Sequence, residues 1–346
     1  MEIIITIMIS KIEEIIEEAK NGRPFILMDD EHRENEGDIV IPAEFATPEA
    51  INFMITHARG LVCLALQKKR IEELGLTLMT KTNGSRFETA FTTSIEAKEG
   101  VTTGISVFDR SHTIKTAIFG TKEDIVTPGH IFPLIAKDGG VLIRAGHTEA
   151  SVDISILAGL NPSSVICEII NHDGTMARMD NITAFAKAHN LKIGLIKDLI
   201  EYRSKKESIV IKTEEKPFAY VKNSSIITYC DTINGATHYA ITFGKIDATK
   251  PVNVKFHVID YIADIFFENG FLQSVELLKK EGGILVLINN KHATTVQNGI
   301  IREYGIGISI IKNLGVKKIT IFSKHNPNPV AIEGFGVEIV GFKSVG

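Results

Sequence analysis

Apolar side chains recur at helical spacing in "SKIEEIIEEAKNGRP", where Ile12, Ile15, Ile16 and Ala19 share one face, Ser10 reads as the N-cap, and Gly22 with Pro24 ends the helix. Around an acidic run, "PFILM" and "DIVIPAE" are short, apolar and partly β-branched, the pattern of strands. In "TPEAINFMITHARG" the helical spacing returns, with Pro48 near the start and Gly60 past the end, and the strand "LVCLAL" follows. Helices and strands alternate in this way as far as residue 200. "EYRSKKESIVIKTEEKP" breaks the pattern: it is charged, holds one short "IVI" run and closes at Pro217. Beyond it "SIITYCDT", "HYAITFGKID", "VNVKFHVID" and "GILVLINN" read as strands, "GIGISIIKNLGVKKITIF" as helix, turn and strand, and "GFGVEIVGF" as a last strand. The alternation predicts the α/β class, with mixed sheets and helices, in two domains: residues 1–203 and 218–346, joined by a linker over 204–217.

A length of 346 residues lets each domain bury its own core. The net charge of −4 and the lack of a Lys/Arg stripe interleaved with aromatics give no reason to expect nucleic acid. Cys63, Cys167 and Cys230 are far apart, lie in apolar surroundings and form no CxxC pair, so a reducing cytoplasm is expected rather than a disulfide framework. "MEIIITIMIS" is apolar but shorter than the roughly 20 residues that cross a bilayer, and it lacks a cationic leader; it reads as a strand or a loose start. No other run is long enough to span, so no membrane partner is expected.

The acidic run "DDEHRENEGD" crowds Asp29, Asp30, Glu31, Glu34, Glu36 and Asp38 together where a core strand emerges. Like charges this close repel, so they are either spread in solvent or arranged around something positive. A calcium loop is excluded, because counting from Asp29 puts Arg33 at the fifth place, where an oxygen ligand is required. A hard divalent cation that keeps its waters and shares ligands with a substrate suits one or two of these carboxylates. In "GGVLIRAGHTEASVD", read as the end of a strand, Arg144 suits a phosphate, Thr148 can donate to it and Gly146 frees the backbone to approach a ligand. His147 there is a metal ligand, an acid-base group or a structural histidine. "TPGHIFPL" reads as a stiff loop holding His130, and "SVICEIIN" sets Glu168 in an apolar run, as a buried general acid or base or as the partner of an arginine. The "TTGIS" loop, Thr102 to Ser106, reads equally as a phosphate cover or a plain capping loop, and Cys63 as a site-facing or a buried structural thiol.

Taken in order, "DDEHRENEGD", "AFTTSIEAKEGVTTGIS", "TPGHIFPL", "RAGHTEASVD" and "CEIIN" resemble 3,4-dihydroxy-2-butanone 4-phosphate synthase of riboflavin biosynthesis. The resemblance implies a magnesium (or manganese) lyase that converts ribulose 5-phosphate to 3,4-dihydroxy-2-butanone 4-phosphate and formate, as a homodimer with sites near the interface. Carried over by motif, Glu34 and His147 hold the metal, and Arg33 and Asp38 contact the sugar phosphate. Arg144, Ala145, Gly146, His147 and Thr148 line the substrate, with Glu34 and Glu168 also touching it, while His130, Glu168 and Asp38 serve catalysis. His32 stands where the family has Asp, outside these roles. The chemistry agrees: forming an enediol removes a proton beside a carbonyl, and a cation on the sugar oxygens stabilises the charge that develops.

Residues 218–346 resemble GTP cyclohydrolase II, the usual fusion partner, in "HYAITFGKIDATKPVNVKFH", "REYGIGISIIKNLGVKKITIF" and "EGFGVEIV". The family's zinc cysteines are missing from "HVIDYIADIFFENG", and a catalytic zinc needs three protein ligands. Arg302 keeps the family's nucleophile position, but Ile300 replaces the neighbouring Asp, Pro329 replaces a nucleotide-contacting Lys, and "LINNKHATT" stands where a glycine-rich run belongs. A makeshift zinc site from Cys230, His238, His257 and Asp260 has no ligand spacing to support it. The expectation is a domain without zinc or GTP cyclohydrolase II activity, retained for packing, dimer stability or regulation. The alternatives are a bifunctional enzyme and a non-catalytic regulator that binds sugar phosphate or nucleotide.

Overall fold

The computed structural model describes residues 9–31, 33–84, 87, 89–233, 235–259, 264, 271–289, 300–323 and 335–344. The chain divides into two compact units: Met1–Val141 with Ala145–Leu199, and Leu142–Arg144 with Ile200–Gly346.

The first unit is built on a seven-stranded sheet in the order β4-β5-β3-β6-β2-β1-β7. Its strands are β1 (Phe25–Met28), β2 (Gly37–Pro42), β3 (Cys63–Gln67), β4 (Ile95–Ala97), β5 (Ile125–Ala136), β6 (Ser163–Glu168) and β7 (Ile193–Leu195). The β3–β5 and β1–β7 pairs are parallel and the rest antiparallel, so the sheet is mixed. Helices α1 (Ile12–Lys20), α2 (Pro48–Phe53), α3 (Lys68–Glu73), α4 (Val107–Phe119), α5 (His147–Leu157) and α6 (Met179–His189) pack around it. Every residue of β1 and β2 is buried, which is why these strands read as continuous apolar runs rather than alternating ones. Ile26, Met28, Ile39 and Ile41 join Leu64, Leu66, Val165 and Ile114 in the main core.

Three local expectations need correction. Ser10 is not the cap of α1: its N–H bonds Ile193 O at 2.8 Å, pairing with β7, while Lys11 occupies the cap position and its N–H donates to the Glu14 carboxylate at 3.0 Å. "TPGHIFPL" is part of strand β5, not a loop; a register shift between Ile95 and Glu96 of β4 accompanies its proline-bearing backbone. The run from His147, read as the end of a strand, opens helix α5 with Gly146 as its N-cap. All residues from His147 to Ser155 are buried, so the helix has no polar face to reveal its period.

In the stretch read as a linker, α7 (Ile196–Lys206) extends to Lys206 and β8 (Val210–Pro217) is an edge strand paired with β9 (Ser224–Asp231). Residues 211–217 are exposed, which left little hydrophobic signal for the strand. The second unit continues with β10 (Thr237–Phe243), β11 (Val252–Ile259), α8 (Phe271–Glu281), β12 (Gly283–Asn289), α9 (Ile300–Asn313), β13 (Lys318–Ser323) and β14 (Glu338–Ser344). These strands form a seven-stranded mixed sheet in the order β14-β13-β11-β12-β10-β9-β8, with Ile241, Phe243, Leu278, Leu285 and Phe322 clustered in a core.

Candidate active site

The acidic run folds into a tight loop between β1 and β2, organised around Asp29. Its Oδ1 accepts from Glu36 N at 2.9 Å, and its Oδ2 accepts from Glu34 N at 3.2 Å and from Arg33 Nη1 at 2.7 Å. The same Nη1 donates to Glu34 Oε2 at 2.6 Å, and the guanidinium lies 5.1 Å from the centre of the Phe87 ring. Asn35 takes a left-handed conformation at φ 54°, and Arg178 Nη1 donates to the carbonyls of Glu34 and Asn35, each at 2.6 Å. The carboxylates are thus tolerated because two arginines and several backbone amides are interleaved with them.

His147, first residue of α5, arrives from a distant stretch of chain. Its Nδ1 lies 3.6 Å from Glu34 Oε2 and its Nε2 3.8 Å from Asp38 Oδ1; the His147 and Asp38 side chains are almost fully buried. Burial alone would discourage ionisation of Glu34, but His147 and Arg33 override it and lower its pKa to about 2. Burial pushes Asp38 up to about 7, against the pull of His147 and with the repulsion of Glu168. Burial also opposes protonation of His147, yet the Asp38 carboxylate and the Glu34 hydrogen bond outweigh it and raise its pKa to about 9. The site therefore stabilises positive charge at this point.

Ligand atoms of Asp29, Glu34 and His147 lie within 4.8 Å of one another, a set that could hold a metal ion. Buried His147 Nε2 has no hydrogen-bond partner among the described residues, which fits a group kept for a ligand. Asp29, whose two oxygens are already occupied, serves the loop more than an ion. It belongs to a run that the sequence marks as acidic, but only the folded backbone reveals its role.

Glu168 ends β6 directly opposite Asp38 in register, and its Oε2 accepts from Leu61 N at 2.8 Å. Gly60 permits this contact: a Cβ there would lie 2.3 Å from Glu168 O and 2.6 Å from Glu168 Oε2. Arg144 and Ala145 are buried in the turn before α5, and Thr148 is buried in its first turn. Cys63, buried near Glu168 and Asp38, has its thiol pKa pushed well up, chiefly by burial, as befits a structural cysteine. The "TTGIS" loop caps α4: Thr102 N and Gly104 N both donate to the Asp109 carboxylate, and Ser106 Oγ accepts from Asp109 N.

His130 is not brought into this group. Continuing the strand register places it in the same row as Asp38 and Glu168. It stands three strands from Asp38, roughly 14 Å at ordinary strand spacing. Its Nδ1 is paired instead with Glu96 Oε2 at 2.7 Å. His32 and the second unit's Asp260, Pro329 and 290–299 lie outside the described residues, as do the side chains of Ile300 and Arg302.

In the second unit, both ring nitrogens of His238 are engaged: Nε2 lies 3.2 Å from Asp231 Oδ2, and Nδ1 accepts from Asn289 N at 3.2 Å. His257 Nε2 lies 2.9 Å from Asp264 Oδ1. Among the described residues Asp29, Glu34 and His147 form the one candidate cation group.

Comparison with known proteins gives this geometry a family. The model of 3,4-dihydroxy-2-butanone 4-phosphate synthase matches residues 13–202, and that of GTP cyclohydrolase II matches residues 290–344. A 3,4-dihydroxy-2-butanone 4-phosphate synthase from Photobacterium phosphoreum is 45% identical, covering 96% of this chain and 99% of its own length. One from Helicobacter pylori strain J99 is also 45% identical, covering 95% of this chain and 97% of its own length. Among solved structures, a two-domain 3,4-dihydroxy-2-butanone 4-phosphate synthase from A. baumannii is 39% identical with a TM-score of 0.73, covering 96% of this chain and 99% of its own. A synthase crystallised with two magnesium ions is 38% identical with a TM-score of 0.55, covering 57% of this chain and 97% of its own. With the acidic loop, the buried histidine and the sheet that carries them all falling inside the matched region, the chain belongs to the 3,4-dihydroxy-2-butanone 4-phosphate synthase family.

Proposed function

We propose that the first unit converts ribulose 5-phosphate to 3,4-dihydroxy-2-butanone 4-phosphate and formate at the junction of the acidic loop and the start of α5. The protein is a lyase of riboflavin biosynthesis. The observation that carries the site is the approach of Glu34 and His147, 3.6 Å apart and drawn from two distant stretches. Glu34 and His147 hold a magnesium or manganese ion, in keeping with the magnesium-bound relative. Bound there, the ion supplies Lewis acidity toward the sugar's oxygens.

The chain's own groups supply the rest. Arg33 is locked by Asp29 and holds Glu34 in place, with donors remaining on its guanidinium for the phosphate. The first turn of α5, with Gly146 and Thr148, offers backbone amides and a donor to the same anion. Asp38 lies beside His147 as a candidate proton-exchanging group, and Glu168 faces it across the strand pair with one oxygen fixed by Leu61 N. Incubating the purified protein with ribulose 5-phosphate and magnesium should release formate, and EDTA should stop it. No formate under these conditions overturns the assignment. The same assay with GTP and zinc should yield neither formate nor pyrophosphate, because the second unit is catalytically silent; turnover there would make the enzyme bifunctional.

The working species is a cytoplasmic homodimer. Exposed apolar side chains lie on His130's own strand and in its row, Val126 (40% exposed) and Leu61 (43%), and at the start of α4, Ile105 (55%) and Phe108 (69%). A second copy over this patch removes it from water and puts His130 at the interface, where it can serve catalysis without sitting beside Asp38 in its own chain. The charged double variant Ile105→Asp/Phe108→Asp should sediment as a monomer and lose formate release by about tenfold or more; a dimer that persists with full activity would remove this reading. Among the described residues no helix is long and apolar enough to cross a membrane, and the three cysteines are free, in keeping with a reducing compartment.

A further inference from the structure

The environment of His130 singles out a residue with no role so far. Glu96, in β4, accepts two hydrogen bonds on one oxygen, both associated with His130: its Oε2 lies 3.0 Å from His130 N and 2.7 Å from His130 Nδ1. The Glu96 side chain is 11% exposed and that of His130 44%. Its other oxygen, Oε1, is buried without a hydrogen-bond partner among the described residues. The carboxylate is also caged. A Cβ on Gly104 would lie 2.2 Å from Oε1, and Gly104 itself is tied to Asp109. On the other side a Cβ on Gly129 would lie 2.0 Å from Ile95 O, so β5 runs hard against β4 beside the pair. Gly104 thus makes room for the carboxylate, and Gly129 for the close approach of the two strands that present it and His130.

We propose that Glu96 is a positioning residue that holds His130 as the tautomer protonated on Nδ1, leaving Nε2 as the atom that exchanges protons with substrate. The inference rests on the reading above that His130 acts in proton transfer. An ionised carboxylate can only accept, so at 2.7 Å the proton of a neutral imidazole belongs on Nδ1. The lone pair of Nε2 is then free to take a proton from substrate. The imidazolium so formed faces the Glu96 carboxylate until Nε2 returns the proton, and the ring ends in the state from which it began. A neutral amide in the same place keeps its oxygen on both bonds and leaves the tautomer as it is, whereas alanine removes the acceptor and lets the ring proton move to Nε2, which removes the base.

The test uses the full chain with magnesium and four variants: Glu96→Ala, Glu96→Gln, His130→Ala and the double variant Glu96→Ala/His130→Ala. Glu96→Ala should lose about 10²-fold in kcat with KM little changed, the size of a general-base contribution, and should add nothing in the His130→Ala background. Nitrogen NMR of histidine-labelled protein, with the His130 signals identified by their loss in His130→Ala, should show the Nδ1–H tautomer at alkaline pH in the native chain and in Glu96→Gln, and the Nε2–H tautomer in Glu96→Ala. If Glu96 only pins β5 through the His130 backbone, the tautomer will be the same in Glu96→Ala as in the native chain, and the proposal is overturned whatever the activity. A shifted tautomer together with a fully active His130→Ala variant overturns instead the reading of His130 as a proton-transfer group.

Discussion

Replacing Glu34 or His147 by alanine should lower formate release by about 10³-fold or more, roughly 4 kcal/mol of transition-state stabilisation, while the chain stays folded. Each substitution removes one side of the 3.6 Å approach on which a cation would be held. The fold survives for separate reasons. Without Glu34, Arg33 still has Asp29, and Asp29 still accepts from the backbone of residues 34 and 36. Without the His147 ring, α5 keeps Gly146 as its N-cap and the buried residues Ala150, Val152 and Ile154 that anchor it. Circular dichroism and thermal unfolding check the fold, and titration with manganese followed by electron paramagnetic resonance checks the ion. Turnover within tenfold of the parent in either variant would show that the ion is held elsewhere.

Gly60→Ala should both destabilise the first unit and cripple the site, although the substitution adds only a methyl group. The added carbon would sit 2.3 Å from Glu168 O and 2.6 Å from Glu168 N, both backbone atoms of a strand that lies between two others. Neither atom can swing aside as the end of a long side chain could. Overpacking of this kind costs about 1–3 kcal/mol, and the melting temperature should fall about 2–4 °C for each kcal/mol. Relief of the clash displaces the Glu168 carboxylate from Leu61 N, and a misplacement of about 1 Å in a reacting group can cost 10²-fold in rate. Gly159→Ala is the control: that glycine has a positive φ but open space about it, so only backbone strain is introduced and the site is untouched. Equal melting temperatures and rates for Gly60→Ala and the parent would refute the argument.

Much of the site was legible because its residues travel in short, chemically conspicuous runs. The acidic loop announces itself by five carboxylates between two apolar strands, with a sixth, Asp38, in the second of them, and the order of five motifs points to one family. Three kinds of feature escaped. Helix α5 is buried on all sides and so lacks the amphipathic period by which helices are recognised. Edge strand β8 carries exposed, charged residues, Lys212, Glu214, Glu215 and Lys216 among them, and resembles a linker in composition. Asp29, Glu96 and Arg178 act through contacts that only the folded chain creates: Arg178 reaches the carbonyls of Glu34 and Asn35 from far along the sequence. Sheet register also separated residues that the motifs place on one footing, since Asp38 and Glu168 are neighbours whereas His130 stands three strands from Asp38.

The way Asp29 gathers its own loop has a kinetic consequence. A stretch already closed by bonds to the amides of Glu34 and Glu36 and to the Arg33 guanidinium has little disorder left to lose when sugar and ion arrive. Capture should therefore proceed in one fast phase set by diffusion and ion desolvation, with no slow ordering step behind it. Loosening the knot with Asp29→Asn should turn the same encounter into a two-phase process.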